Sequence, residues 1–125
     1  MGRENKRIGH IGEGIAIAFL KQKGYKILGV NVRTHLGEID VVAKQKETTI
    51  FIEVKTRATS SLGPPFLNVT LSKQRHMIRN ALCYLKQRGI VNSNWRIDVV
   101  SVKLNEQYEL ESIELIENAV EDNNG

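Results

Sequence analysis

Only one cysteine, Cys83, occurs in the 125 residues, which excludes an intrachain disulfide; lying among helix-forming residues, it reads as a small core or half-buried side chain. The three histidines, His10, His35 and His76, are scattered without paired-ligand spacing, so no zinc site is expected. No apolar run approaches the length of a bilayer span, and residues 1–30 hold none long enough for the core of a secretion signal. A cytoplasmic protein without a membrane partner is the expectation. The glycine-rich stretch from Gly9 to Gly14 lacks both the spacing of a dinucleotide-binding loop and a preceding strand. There is no P-loop, no G-x-S-x-G elbow and no Cys/His pairing for nucleophilic catalysis. Basic residues are missing from the C-terminal end. All 18 Lys and Arg lie at or before Lys103 with seven acids among them, a formal +11, and the other seven acids follow Leu104. So basic a body concentrates polyanions around itself. The acidic end, frayed from about 117 to 125, either folds back as a competitor or is a solubilising terminus.

What the chain does have is carboxylates inside strand-like runs. The Ile and Val density of Leu36–Lys44 and Thr48–Lys55 predicts two strands, and the few residues between them predict a hairpin. Alternation puts Glu38 and Asp40 on one face, opposite Ile39 and Val41, and puts Glu53 and Lys55 on one face, opposite Ile52 and Val54. In a hairpin symmetric about Lys46–Glu47, Asp40 falls across from Glu53 and Glu38 across from Lys55, so four charges converge. Two carboxylates so close repel unless a hard cation sits between them. Mg²⁺ and Mn²⁺ prefer oxygen ligands, use one or two carboxylates, and leave positions for water and phosphate. A lysine beside the ion orients or deprotonates water, or answers charge developing on a phosphodiester. That is the equipment of a metal-dependent phosphodiesterase. Cross-strand ion pairs, Glu38 with Lys55 and Asp40 with a neighbour, are the plainer reading of the same four residues.

The remaining pattern is that of one α/β domain, long enough for its own core. Ile8, Ile11, Ile15 and Ala18/Phe19 recur at helical spacing and Gly24 ends the run, predicting a helix near residues 7–23. Glu13 shares a stripe with Gly9, Ala16, Ile17 and Leu20. A carboxylate among such neighbours needs a cation or donors, unless it is a first-turn Glu favoured by the helix dipole. Tyr25–Val32 reads as a strand. Thr56–Leu71, with Thr59-Ser60-Ser61 and Gly63-Pro64-Pro65, reads as a long loop of the kind that carries function and is placed to close over a bound backbone. A second helix is predicted over Ser72–Arg88, with Met77, Ile78, Ala81, Leu82 and Leu85 inward. Its other face carries Arg75, Arg79 and Lys86, a solvated face or, beside the carboxylates, a set of phosphate contacts. Trp95–Leu104 and Tyr108–Ile116 are further strands, the last at an edge.

Gly9-x-x-Gly12-Glu13-x-x-Ala16, Asn31-x-Arg33, Gly37-Glu38-Ile39-Asp40, Phe51-Ile52-Glu53-Val54-Lys55-Thr56-Arg57 and Arg96-Ile97-Asp98-Val99-Val100, in that order from about Gly9 to Val102, resemble the YraN-like family of bacterial proteins. More distantly, an acid on one strand and Glu-x-Lys on the next, after a helix with its own Glu, resembles the restriction-endonuclease-like, PD-(D/E)xK, nuclease superfamily and its archaeal Holliday junction resolvases. Ile39 stands where that motif has proline. The resemblance implies a core of helix, three strands, helix and strand, with a mixed sheet flanked by helices. It implies a Mg²⁺- or Mn²⁺-dependent endonuclease acting on nucleic acid, DNA and branched DNA first, and a homodimer. On this reading Asp40 and Glu53 hold the metal, Glu13 supports it from the first helix, and Lys55 acts on water or transition-state charge. Glu38 and Arg57 support the site, while Arg33, Lys73, Arg75, Arg79 and Lys86 bind nucleic acid. The alternative is a binding module that keeps the fold without turnover.

Overall fold

The computed structural model describes residues 2–58 and 70–120, with side chains from Lys6 onward. Two helices and five strands follow in the order α1 (Gly2–Gln22), β1 (Lys26–Arg33), β2 (Glu38–Gln45), β3 (Thr48–Ala58), α2 (Leu71–Gln87), β4 (Asn94–Leu104) and β5 (Leu110–Val120). The strands form one mixed sheet in chain order. β3 and β4 run parallel, from Thr48 opposite Asn94 to Ala58 opposite Leu104, and every other neighbouring pair is antiparallel. A parallel pair needs a crossover, and the chain that carries α2 provides it.

Both faces of the sheet are covered, which is why its central strands read as nearly unbroken apolar runs. On one face Ala16 and Leu20 of α1 pack with Tyr25, Val41, Ala43, Ile50, Ile52, Val100, Val102 and Leu104. On the other, Ala81, Tyr84 and Leu85 of α2 pack with Ile39, Val42, Phe51, Ile97 and Val120. α1 lies very close to β3: a Cβ built on Gly12 would stand 1.9 Å from the Thr56 hydroxyl oxygen. Its buried stripe is therefore Gly12, Ala16 and Leu20, and Ala18 faces out. Gly24, at φ +90°, ends α1 while Tyr25 N–H returns to Leu20 C=O at 3.0 Å.

Three expectations change. Leu82 is 40% exposed, and Asn80 and Tyr84 occupy the inner face of α2 instead. Thr56–Ala58, expected as loop, continues β3, because β4 supplies partners for every residue there. Residues 59–69 of the expected loop, with Thr59–Ser61 and Gly63–Pro65, lie outside the described residues, and at its far end Thr70 caps α2 and Leu71 opens it. The expected fraying from 117 does not occur at 117–120, since β5 runs to Val120. Val120 is 4% exposed in the α2-side core, and Asn118 N–H donates to the buried Asp98 carboxylate at 2.9 Å. Residues 121–125 lie outside the described residues.

Candidate metal and nucleic-acid site

The site forms where β2 and β3 part. Their ladder runs from Gln45 opposite Thr48 to Val41 opposite Ile52, the register of a hairpin centred on Lys46–Glu47, and on that register Asp40 comes next, opposite Glu53. The ladder goes no further. Asp40 Oδ2 accepts the Val54 N–H at 2.8 Å, so a side chain stands in for the partner strand's carbonyl. Alternation breaks at the same place. Ile39 packs on the α2 side and Val41 on the α1 side, whereas strict alternation would keep them together. Asp40 and Glu38 consequently line a space on each side of the sheet. One is a cavity of about 210 Å³ beneath α2, shared with Glu53, Lys73, His76 and Met77. The other is an open groove of about 550 Å³ along α1, shared with Lys6, Gly9, His10, Glu13 and Asn31.

The charges do not balance at this point. Burial, and then the neighbouring carboxylate of Glu53, push Asp40 up to about 7. The Val54 N–H pulls the other way, while Glu13 and Glu38 add to the rise. Glu53 Oε1 lies 3.2 Å from Lys73 Nζ and 3.8 Å from Lys55 Nζ. Burial and the Lys73 ammonium together hold Lys55 below its ordinary value. Lys73 is raised, first by its hydrogen bond to Lys55 and then by Glu53. Two amines thus share one carboxylate, and Lys55 holds its proton less firmly than an ordinary lysine.

The other expected residues are placed differently. Glu38 does not reach Lys55. It pairs with Arg33 across β1 and β2 at 3.8 Å, with both side chains largely exposed, because β2 has already left β3. Glu13 is in mid-helix, since α1 begins at Gly2, so no first-turn dipole accounts for it. Its Oε1 accepts from Asn31 Nδ2 at 3.0 Å, and Asn31 itself adopts φ +50°. Arg57, half-buried, stands two residues beyond Lys55, opposite Lys103. Arg75, Arg79 and Lys86 are exposed on α2 and do not line the cavity, whereas Lys73 does.

The site also uses residues that received no role from the sequence. Asn80 is 4% exposed; its Nδ2 donates to Glu38 C=O at 3.1 Å, and its Oδ1 accepts from the Thr34 hydroxyl. It thereby ties α2 to the β1–β2 turn, where Gly37 at φ +157° leaves room for His76: a Cβ there would lie 3.2 Å from His76 Nε2. An amide in the apolar phase of α2, between Met77 and Tyr84, is the signal that could have marked it.

The donor set suits a hard cation. Its carboxylates are oxygen ligands, their mutual repulsion is what a bound ion relieves, and Mg²⁺ or Mn²⁺ needs only one or two of them. Among the described residues no three His, Cys, Asp or Glu side chains converge as a ready-made cage. Asp40 and Glu53, completed by water and phosphate oxygens, therefore fit better than a shell that includes Glu13.

Comparison with known proteins places the chain. Residues 12–102 match Uncharacterised protein family UPF0102. A UPF0102 protein of Caldicellulosiruptor saccharolyticus is 44% identical over 92% of this chain and 98% of its own length. One from Desulfosudis oleivorans is 45% identical over 98% and 97%, and one from Clostridium acetobutylicum 40% identical over 95% and 98%. With residues 12–102 matched by the family and these relatives 40–45% identical over 92–98% of it, the chain belongs to UPF0102, the YraN-like family.

Proposed function

We propose that this protein is a Mg²⁺- or Mn²⁺-dependent nuclease on a restriction-endonuclease-like core, binding DNA in the cytoplasm and hydrolysing its phosphodiester backbone. The observation that carries the reading is Asp40: a largely buried carboxylate in the field of three others, held by one backbone N–H, and near a lysine with a lowered pKa. Asp40 and Glu53 are the metal ligands, and Glu13 adds negative field from α1. A bound divalent ion would neutralise phosphate charge and make a bound water more acidic. Lys55 Nζ takes a proton from the attacking water or donates to the phosphate, and Lys73 fixes the position of Glu53. Lys73, Arg33 and the α2 stripe of Arg75, Arg79 and Lys86 provide phosphate contacts.

The test is cleavage of single-stranded, duplex and branched DNA, and of RNA, with Mg²⁺, Mn²⁺ or chelator. Cleavage should require metal and fall by about 10²–10⁴ in Lys55→Ala, with nucleic-acid binding retained. Asp40→Asn should weaken metal binding itself. If both variants cleave like the parent, the activity lies elsewhere. One observation favours a second reading, a binding module without turnover: the Lys73 ammonium, 3.2 Å from Glu53, already neutralises part of the charge that a metal would answer. That reading predicts salt-sensitive binding and no cleavage with any divalent ion.

A further inference from the structure

The cavity beneath α2 has walls that phosphodiester hydrolysis does not need. Ile39, Phe51 and Ile97, members of the α2-side core, floor it, Met77 and His76 line it from α2, and Asp40 and Glu53 stand at the site itself. A phosphate, the group that Lys55 and Lys73 are suited to meet, gains nothing from four apolar side chains, and a metal ion gains less. At about 210 Å³ the cavity is smaller than the ~300–1,000 Å³ of pockets that enclose drug-sized ligands. It therefore has room for one flat ring system and not for two stacked ones.

A flat group with apolar faces, attached to a phosphate backbone, is a nucleobase. We propose that this cavity receives a single unpaired nucleobase, swung out of the stack, from the strand whose phosphate lies at Asp40 and Glu53. The inference rests on the nuclease reading for the location of that phosphate, and it narrows the substrate to nucleic acid with an unpaired or readily unstacked base. It also limits what is read. Asn80, the amide in the lining, is already engaged with Glu38 C=O and Thr34. Recognition through apolar walls tolerates any base, because every base has a π-face. The preference is for unpaired over paired, and only weakly for sequence.

The test uses the full chain, without divalent metal, so that it does not depend on cleavage. One duplex carries a single bulged 2-aminopurine, and its control is the same duplex fully paired. The bulged duplex should bind about fivefold tighter or more, the lower end of what stacking one base contributes, and its 2-aminopurine should become protected from a soluble collisional quencher. Met77→Trp, which fills the cavity, should bring the affinity ratio to one and restore quenching. His76→Ala, a change on an exposed side chain that leaves the core intact, should lower the ratio even if the tryptophan variant fails to fold. Equal affinities in the parent, a bulged base still open to quencher, or a ratio unaltered in both variants would each overturn the proposal. Preference and protection without cleavage under any metal would sink the nuclease reading and leave the base pocket standing. Cleavage of paired duplex without preference would do the reverse.

Discussion

Two aspartates, Asp40 and Asp98, sit on strands of one sheet, and their surroundings differ in almost every respect. Asp98 is 0% exposed and fully provided for. Arg96 Nε donates to its Oδ1 at 3.0 Å, the Tyr25 hydroxyl to its Oδ2 at 2.8 Å, and Asn118 N–H to its Oδ1 at 2.9 Å. Arg96 reaches on to Tyr25 at 2.9 Å and to Glu117 at 3.6 Å. Burial, followed by the hydrogen bond to Asp98, raises the Tyr25 hydroxyl well beyond its ordinary range. Asp40 has one backbone donor, the field of three carboxylates, and two lysines, Lys55 and Lys73, that answer this charge only in part. A buried carboxylate with a complete set of donors closes the fold, here by joining the end of α1, β4 and β5. One whose like-charged neighbours outweigh its cations keeps a demand for positive charge, which is the usual physical mark of a site.

The largest expected effect sharpens that contrast. Asp98→Ala removes the buried acceptor that Arg96, Tyr25 and the Asn118 N–H share, leaving the first two, beyond their bond to each other, only the longer contacts to Glu117 and Gln45, and breaking a buried pair by removing one partner costs about 3–5 kcal/mol. Denaturant unfolding should show that loss, and the end of β5 should exchange its amide protons faster. A loss below about 1 kcal/mol would mean that the network is dispensable and the contrast false.

Next comes pH. Asp40 titrates near 7 in the fold but near 3.9 unfolded, so between those values the folded chain holds the extra proton. Stability of the metal-free protein should fall as pH rises from about 4 to about 7, with a ceiling of about 4 kcal/mol, and level off above. Mg²⁺ or Mn²⁺, which binds the ionised form, should restore stability above about pH 7 and have little effect near pH 5. Asp40→Asn should remove both the slope and the rescue. A metal-free profile that is flat through this window would place Asp40 in the same class as Asp98.

How far the sequence reveals this depends on the range of the interaction concerned. The β2–β3 register was legible because a short, symmetric hairpin is set by neighbours, and Asp40 arrives one step past the pair Val41–Ile52. The separation of Glu38 from Lys55 was not. It follows from a side chain capturing the Val54 N–H and from Arg33 offering Glu38 a partner on another strand. The polar run around Glu117 and Asn118 reads as a frayed end, yet Asp98, twenty residues back, holds it in the sheet. Asn80 was hidden for the same reason, since both its partners, Thr34 and Glu38, are more than forty residues away.

The smallest effect tests how α1 sets the environment of Asp40. Gly12 is the point at which the helix touches β3, and an alanine methyl there would meet three Thr56 side-chain atoms at 1.9, 2.5 and 2.7 Å. Thr56 is β-branched and rotates little out of the way, so the helix must lift. Overpacking of this kind costs about 1–3 kcal/mol, offset by up to about 1 kcal/mol from the better helix propensity of alanine, leaving a net loss near 1–2 kcal/mol on denaturant unfolding. Lifting α1 carries Glu13 away from Asp40, and Glu13 is one of the charges that raise it. In Gly12→Ala the pH-dependent fall in stability should therefore be centred lower than in the parent, while the contribution of the Asp98 network, measured by adding Asp98→Ala, stays the same. If Gly12→Ala left that pH window in place, Glu13 would have no part in the field at Asp40, and the imbalance would belong to β2 and β3 alone.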